Sequence, residues 1–403
     1  MRVDTWLDQH PPTPDERAGV RAAAAEKARA RPLPAPRSEH WKYTSTRAIG
    51  ALGLELGAST GTLTVGAAPA GVTIVRWSEA SPAQRAAAGA WFGKLATFDG
   101  PEAFVALNTA LHDDVVLILV EAGAEVADAV RLVHVAGGED APRVVFPRVL
   151  VLADAGAKAT VVAEWRSARG AAFVTAPVTE LVVGDGASLE YVSVVATPTS
   201  DFHLATVAAT VAEGGTLQAT MLAFGEGLAR CDTIVTLAGA GASVRLEGVG
   251  AAGASGHIDH HTTIDHAVPD CSSREVFRNI AGDHGTVVFN GRVVVREQAQ
   301  RSDSDQQNRS LLLSDDATIN SKPELEIYAD DVKCAHGSAI GALDPEQVWY
   351  LRSRGIPDAL ARQMLVRGFG ADVAARVAHP DARAFATDAL ESWLDQLIAG
   401  GAA

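Results

Sequence analysis

Between Asp114 and Ile340 the chain repeats one short pattern, small residues at a turn followed by an alternating run rich in Val, Leu, Ile and Thr. Gly156-Ala-Lys-Ala-Thr-Val, Gly186-Ala-Ser-Leu-Glu-Tyr, Gly215-Thr-Leu-Gln-Ala and Gly241-Ala-Ser-Val-Arg-Leu show it, with leading glycines 30, 29 and 26 residues apart. Gly285-Thr-Val-Val-Phe and Ala317-Thr-Ile-Asn continue it at looser spacing. One such unit cannot bury its apolar face alone, but stacked copies bury a continuous core, which is the logic of a β-solenoid. A sandwich or barrel would instead want two-residue Asn-Gly or Asp-Gly hairpins. Asp185-Gly186 and Asn290-Gly291 qualify, and most turns do not. A repeat that grows along one axis also suits 403 residues without several separate cores.

Helical composition flanks this body. Residues 15–30 are Ala-rich with interspersed charge, and the prolines of Arg31-Pro-Leu-Pro-Ala-Pro-Arg37 then force an extended connector. Ser81-Pro82 reads as an N-cap with Pro at N1, opening a helical stretch over 81–112. After Leu343, Asp344-Pro345-Glu346 caps a helix that ends at Gly355. A second helix is expected from Pro357 to Arg367, closed by Gly368, a third over 371–378, stopped by Pro380, and a fourth ending at Gly400-Gly401. The division expected is 1–112, a helical region with a Pro-rich connector; 113–343, the β body; and 344–403, a helical module. The β body is expected to close without that module, so removal after Leu343 would leave it folded.

With 49 Asp+Glu against 34 Lys+Arg, the formal charge of −15 disfavours a nucleic-acid binder, which needs clustered Lys and Arg for phosphates. Three cysteines without a C-x-x-C argue against a disulfide framework or a zinc knuckle. The N-terminus lacks a signal peptide's apolar core, and Val115–Val120 is too short for a bilayer span, so a soluble cytoplasmic protein is expected.

Four segments invite a chemical reading. Gly248-Val-Gly-Ala-Ala-Gly253 matches G-x-G-x-x-G but precedes no amphipathic helix, so it reads as a loop rather than a dinucleotide site. His257-Ile-Asp-His-His261-Thr-Thr-Ile-Asp-His266 is rich in imidazole. On a strand, however, His257 and His261 share one face and His260 and His266 the other, which splits any ligand set and favours structural roles. The amide-rich run Arg296–Asn308 reads as hydrogen-bonded ladders between turns, with Asp303 and Asp305 as a same-face carboxylate pair. In Asp330-Asp-Val-Lys-Cys-Ala-His-Gly337, Cys334 and His336 are two residues apart and project together from a strand. Thiol and imidazole suit iron or zinc, and Lys333 and His336 could lower the thiol pKa, but two ligands do not complete a site.

Asn320-Ser-Lys-Pro-Glu-Leu-Glu-Ile-Tyr-Ala-Asp-Asp-Val-Lys-Cys-Ala-His-Gly337 and Val348-Trp-Tyr-Leu-Arg-Ser-Arg-Gly-Ile356 resemble the SufB/SufD family of the SUF iron–sulfur assembly machinery, on its SufD side. Glu39-His-Trp-Lys-Tyr-Thr44, Phe104-Val-Ala-Leu-Asn108 and Leu311-Leu-Leu-Ser314 extend the similarity. The resemblance implies a right-handed parallel β-helix between helical ends, acting as a non-catalytic scaffold. It implies pairing with SufB through the end of the β-helix, a homodimer being possible for the chain alone, and a SufC ATPase docked on the C-terminal helices. Trp349, Tyr350, Met364, Leu365 and Phe369 are the candidate anchors there, since aromatic residues dominate interfaces. It further implies that His336, with Cys334 beside it, faces a SufB cysteine where a transient iron–sulfur cluster forms. Two other readings stand beside this one, a β-helix carbohydrate-active enzyme using Asp303 and Asp305, and a stand-alone iron or flavin binding protein.

Overall fold

A computed structural model describes residues 3–399 except 12–13, 32, 35–37, 59–62, 98–102, 138–140, 169–170 and 199. Two facing sheets wind into a parallel β-solenoid of about eight turns. One sheet runs from Val72–Arg76 through Val116–Val120, Arg148–Ala153, Val178–Val183, Phe202–Val211, Leu228–Leu237, His257–His266 and Thr286–Val295 to Thr318–Ile327. The other runs from Leu63–Val65 through Val130–Ala136, Lys158–Ser167, Ser188–Thr197, Thr216–Gly225, Ser243–Ala252, Ser272–Ala281 and Ser302–Leu312 to Val332–Ala342. Ser188 pairs with Thr216, Thr216 with Ser243 and Ser243 with Ser272, so these turns take 27 to 29 residues, as the glycine spacing implies.

Alternate residues point inward, and through most of the length they are Val, Leu, Ile and Ala packed as one continuous core. At one set of corners the backbone must enter the left-handed region. Gly123, Gly156, Gly186, Gly214 and Gly241 take it with φ between 62 and 71°, and then Asp270 (63°) and Arg301 (58°). The corner residue of the third repeat is thus Gly214 rather than Gly215, which fills the next slot, held elsewhere by Ala157, Ala187, Ala242 and the buried Cys271. Asp270 and Arg301 offset part of the strain by pairing through two hydrogen bonds of 2.5 and 2.6 Å. The opposite corners hold Ala254 (φ 48°) and Asp283 (φ 50°). Ala254 is exposed, so its methyl buries little. Ala254→Gly is expected to stabilise the chain by about 0.5–1 kcal/mol, strain relief less glycine's unfolded-state entropy. Scanning calorimetry would show a raised Tm, and a lowered one would contradict the assignment of strain.

The first 112 residues are not only helical. Leu63–Val65 and Val72–Arg76 join the two sheets antiparallel to Val130–Ala136 and Val116–Val120, and so close the solenoid's first turn. Helices Ala18–Ala30, Pro82–Gly89 and Ala103–Leu111 lie among these elements, the second held by a Ser81–Gln84 capping box. The expected extended connector over 31–37 lies largely outside the described residues.

The G-x-G-x-x-G match is not a loop. Its first two glycines sit in the Ser243–Ala252 strand, where a Cβ on Gly248 would lie 2.2 Å from Phe277 Cε1 and one on Gly250 3.1 Å from Asn279 Oδ1. They make room for bulky neighbours one turn on.

At the C-terminus the helices are Pro345–Ser353, Asp358–Ala374 and Pro380–Ala399. Asp344 caps the first, its Oδ1 accepting from the Glu346 N–H at 2.8 Å. The expected stop at Gly368 does not occur, and the second and third expected helices are one. Gly370 lets that helix lie close on its neighbours, with Leu390 and Ile280 against it. Pro380 starts the last helix instead of ending the one before, because its missing N–H falls where no intrahelical partner exists. The Gly400-Gly401 pair lies outside the described residues. The module is not loosely appended. Val366, Val373, Leu390, Leu394 and Leu397 share a buried cluster with Val192, Leu222, Phe224, Val249 and Ile280 on the solenoid's outer face. Arg278 pairs with Asp372 at 2.9 Å, and Glu190 accepts the Ala378 and His379 N–H groups at 2.5 and 3.0 Å. These contacts speak against the expectation that the β body closes without these helices. No helix among the described residues is long and apolar enough to cross a membrane.

Candidate functional site

The histidine-rich strand His257–His266 divides as its period requires, with His260 and His266 buried inside and His257 and His261 outside. Burial pushes both inner imidazoles down to about 4, so they are neutral packing groups. The outer pair lies beneath the segment Glu39–Thr44. Arg230 stacks 4.0 Å over the Trp41 ring and pairs with Asp259 at 2.9 Å, and the Thr44 hydroxyl donates to Asp259. Burial opposes charge on Asp259, but His261 and Arg230 outweigh it and hold the carboxyl well below the usual range. This cluster pins the N-terminal segment to the solenoid.

Toward the other end the interior turns polar. Ser304, Gln306 and Asn308 point inward from Ser302–Leu312 and are buried. Asn279 Nδ2 donates to Asn308 Oδ1 at 2.8 Å, Asn308 donates to Ser321 Oγ at 2.8 Å, and Ser321 meets Ser338 at 2.8 Å. The amide ladder expected from the sequence is there, and it ties the final strands of the two sheets together. Asp303 and Asp305 point outward. Asp303 accepts from Arg274 at 2.9 Å, and that bond holds its carboxyl below its ordinary value, the opposite of what a general acid requires.

Both sheets end at the last turn, Thr318–Ile327 and Val332–Ala342, whose outer edges no other described strand covers. Cys334 and His336 stand two residues apart in register with the inward-facing Ser304 and Gln306, on the same face as expected. Cys334 is half-buried against the core and burial pushes its thiol up, so Lys333 and His336 do not yield the lowered pKa that their proximity suggested. His336 is exposed and lines an open depression of about 330 Å³ with Asp305, Gln307 and Ser338. Among the described residues, no three or more His, Cys, Asp and Glu side chains are placed to hold a metal ion. Around the same turn Ile327, Tyr328 and Ile340 are exposed apolar groups that the sequence patterning did not single out.

Of the five candidate anchors on the helices, Trp349 (68% exposed), Tyr350 (54%) and Met364 (45%) stand out from the surface, joined by Leu360. Leu365 is half-buried. Phe369 packs inward on the solenoid cluster beneath the Arg278 guanidinium, which leaves it little to offer a partner.

Residues 134–369 match the family described as SUF system FeS cluster assembly, SufBD core domain. The iron–sulfur cluster assembly protein SufD of Escherichia coli is 32% identical over 275 residues, an alignment covering 68% of this chain and 65% of that protein. A SufBD family protein of Mycobacterium tuberculosis is 31% identical over 380 residues, 90% of both chains, and one from Synechocystis is 29% identical over 314 residues, 76% of this chain and 69% of its own. The family model matches more than half of the sequence, and the chain belongs to the SufBD family of iron–sulfur cluster assembly proteins.

Proposed function

We propose that this chain is the SufD-type half of a cytoplasmic scaffold, pairing through its last turn with a SufB-type partner and carrying a SufC-type ATPase on its C-terminal helices. A nascent iron–sulfur cluster, the cargo of the assembly, is built where the two solenoids meet. The observation that carries this reading is His336, an exposed ligand-type side chain at an open strand edge where this chain supplies no further exposed thiolate. Iron–sulfur clusters are held mainly by thiolates, with histidine an occasional replacement, so such a site is completed by cysteines from across the interface. Free edges favour a partner that adds strands, and Ile327, Tyr328 and Ile340 supply apolar contact around them. ATP hydrolysis belongs to the SufC-type subunit, and this chain is non-catalytic.

Co-expression with SufB and SufC of the same organism, anaerobic purification and an absorption spectrum test the proposal. Three co-eluting subunits with cluster absorbance are expected, and a chain that stays monomeric with both partners present would refute it. Replacing Trp349 and Tyr350 together with Ala is expected to weaken SufC capture about tenfold or more, as loss of exposed aromatic anchors does. SufB pairing, at the other surface, should be unchanged.

A further inference from the structure

One inward row of the solenoid runs through register partners Leu246, Glu275, Gln306 and His336. Glu275 and Gln306 are both fully buried, and Gln306 Nε2 donates to Glu275 Oε2 at 2.5 Å. Space for the amide is made by the opposite sheet, where position 291 is glycine. A Cβ on Gly291 would lie 2.4 Å from Gln306 Nε2. Burial pushes the Glu275 carboxyl up to about 7, with the Gln306 hydrogen bond working against that shift. Ionised, the carboxyl can only accept, so it takes the amide nitrogen rather than the amide oxygen. The amide is thereby turned one way, and its Oε1 is left buried without a partner. An orphaned acceptor of this kind is unfavourable to bury. The next residue along the row, on the open side, is His336.

A histidine that binds metal through one ring nitrogen nearly always donates its other N–H to a nearby acceptor, which fixes the tautomer and the ring's orientation. We propose that Gln306 Oε1, oriented by Glu275, is the acceptor for the His336 ring N–H once the last turn is covered by its partner, so that the remaining ring nitrogen is presented to the nascent cluster. Gln306 and Glu275 are then positioning residues, acting through His336. This inference rests on the proposed role of His336.

The test uses the assembled SufB–SufC–SufD-type complex with its cluster reduced, read by electron spin-echo modulation from histidine nitrogen. In the unaltered complex a histidine coupling is expected that disappears in His336→Ala. Gln306→Met, close in shape but without the acceptor, should keep the directly bound nitrogen while shifting the quadrupole coupling of the remote one. Loss of cluster to a chelator should quicken about tenfold, the usual scale for removing such a partner. Should Gln306→Met alone fail to fold, Glu275→Leu with Gln306→Met removes both polar groups together and leaves an apolar interior. A remote-nitrogen coupling and chelation rate unchanged in either folded variant would overturn this inference alone. No histidine coupling in the unaltered complex would overturn the role of His336 and this inference with it.

Discussion

A complex carrying His336→Ala is expected to assemble normally and to lose at least about nine-tenths of its cluster, since losing even a ligand's outer partner costs about 10–100-fold in affinity. The side chain is exposed, and none of the described hydrogen bonds or ion pairs uses it, so truncation should move stability by no more than about 0.5 kcal/mol. Folding, SufB pairing and SufC binding therefore serve as internal controls. Iron and sulfide content per complex, with the absorption spectrum, give the readout. Cys334→Ser should have a smaller effect, because that thiol is half-buried against the core and held protonated. Equal cluster yields from His336→Ala and the unaltered complex would assign the histidine a purely structural place.

Removal of the chain after Leu343 is expected to destroy the β body rather than release it. The lost helices cover Val192, Leu222, Phe224, Val249 and Ile280, which are buried in the intact chain. Exposing a buried side chain of this size costs about 1.5–3 kcal/mol, so the group approaches the total stability of a typical domain, about 5–15 kcal/mol. Glu190 and Arg278 would also lose their partners on the removed helices. Poor soluble yield and lost cooperative melting by circular dichroism are expected. A monodisperse fragment with the parent's melting profile would show that the outer-face cluster contributes little. SufC docking is therefore better probed at Trp349 and Tyr350 than by truncation.

The solenoid was legible because a left-handed corner selects glycine, and Gly156, Gly186 and Gly241 mark it openly. The signal faded where Asp270 and Arg301 take the same conformation and satisfy each other by pairing, a compensation visible only once the turns are stacked. Period 2 placed the four histidines and the Cys334–His336 pair on their correct faces. It could not tell that the row beneath His336 is polar, because Glu275 and Gln306 sit on neighbouring strands of one sheet while Gly291 opens the space from the other, and the three meet only once the turns are stacked. Gly368 looked like a helix end, whereas tertiary packing at Gly370 on Ile280 and Leu390 carries one helix through it. The strands 63–65 and 72–76 went unseen because each is only a few residues long and pairs with a segment about forty or more residues away.

Those two short strands have a further consequence. Running antiparallel, they form the short edges of the first turn, while the last turn ends in the long edges Thr318–Ile327 and Val332–Ala342. A stack with free edges at both ends could add copies without limit and grow into a filament, as open cross-β assemblies do. The first-turn edges are only three and five residues long, against ten and eleven at the last turn, and such short edges are poor templates for a further solenoid. Edge-to-edge growth is therefore expected to favour a single addition at the last turn, whichever solenoid provides the second edge.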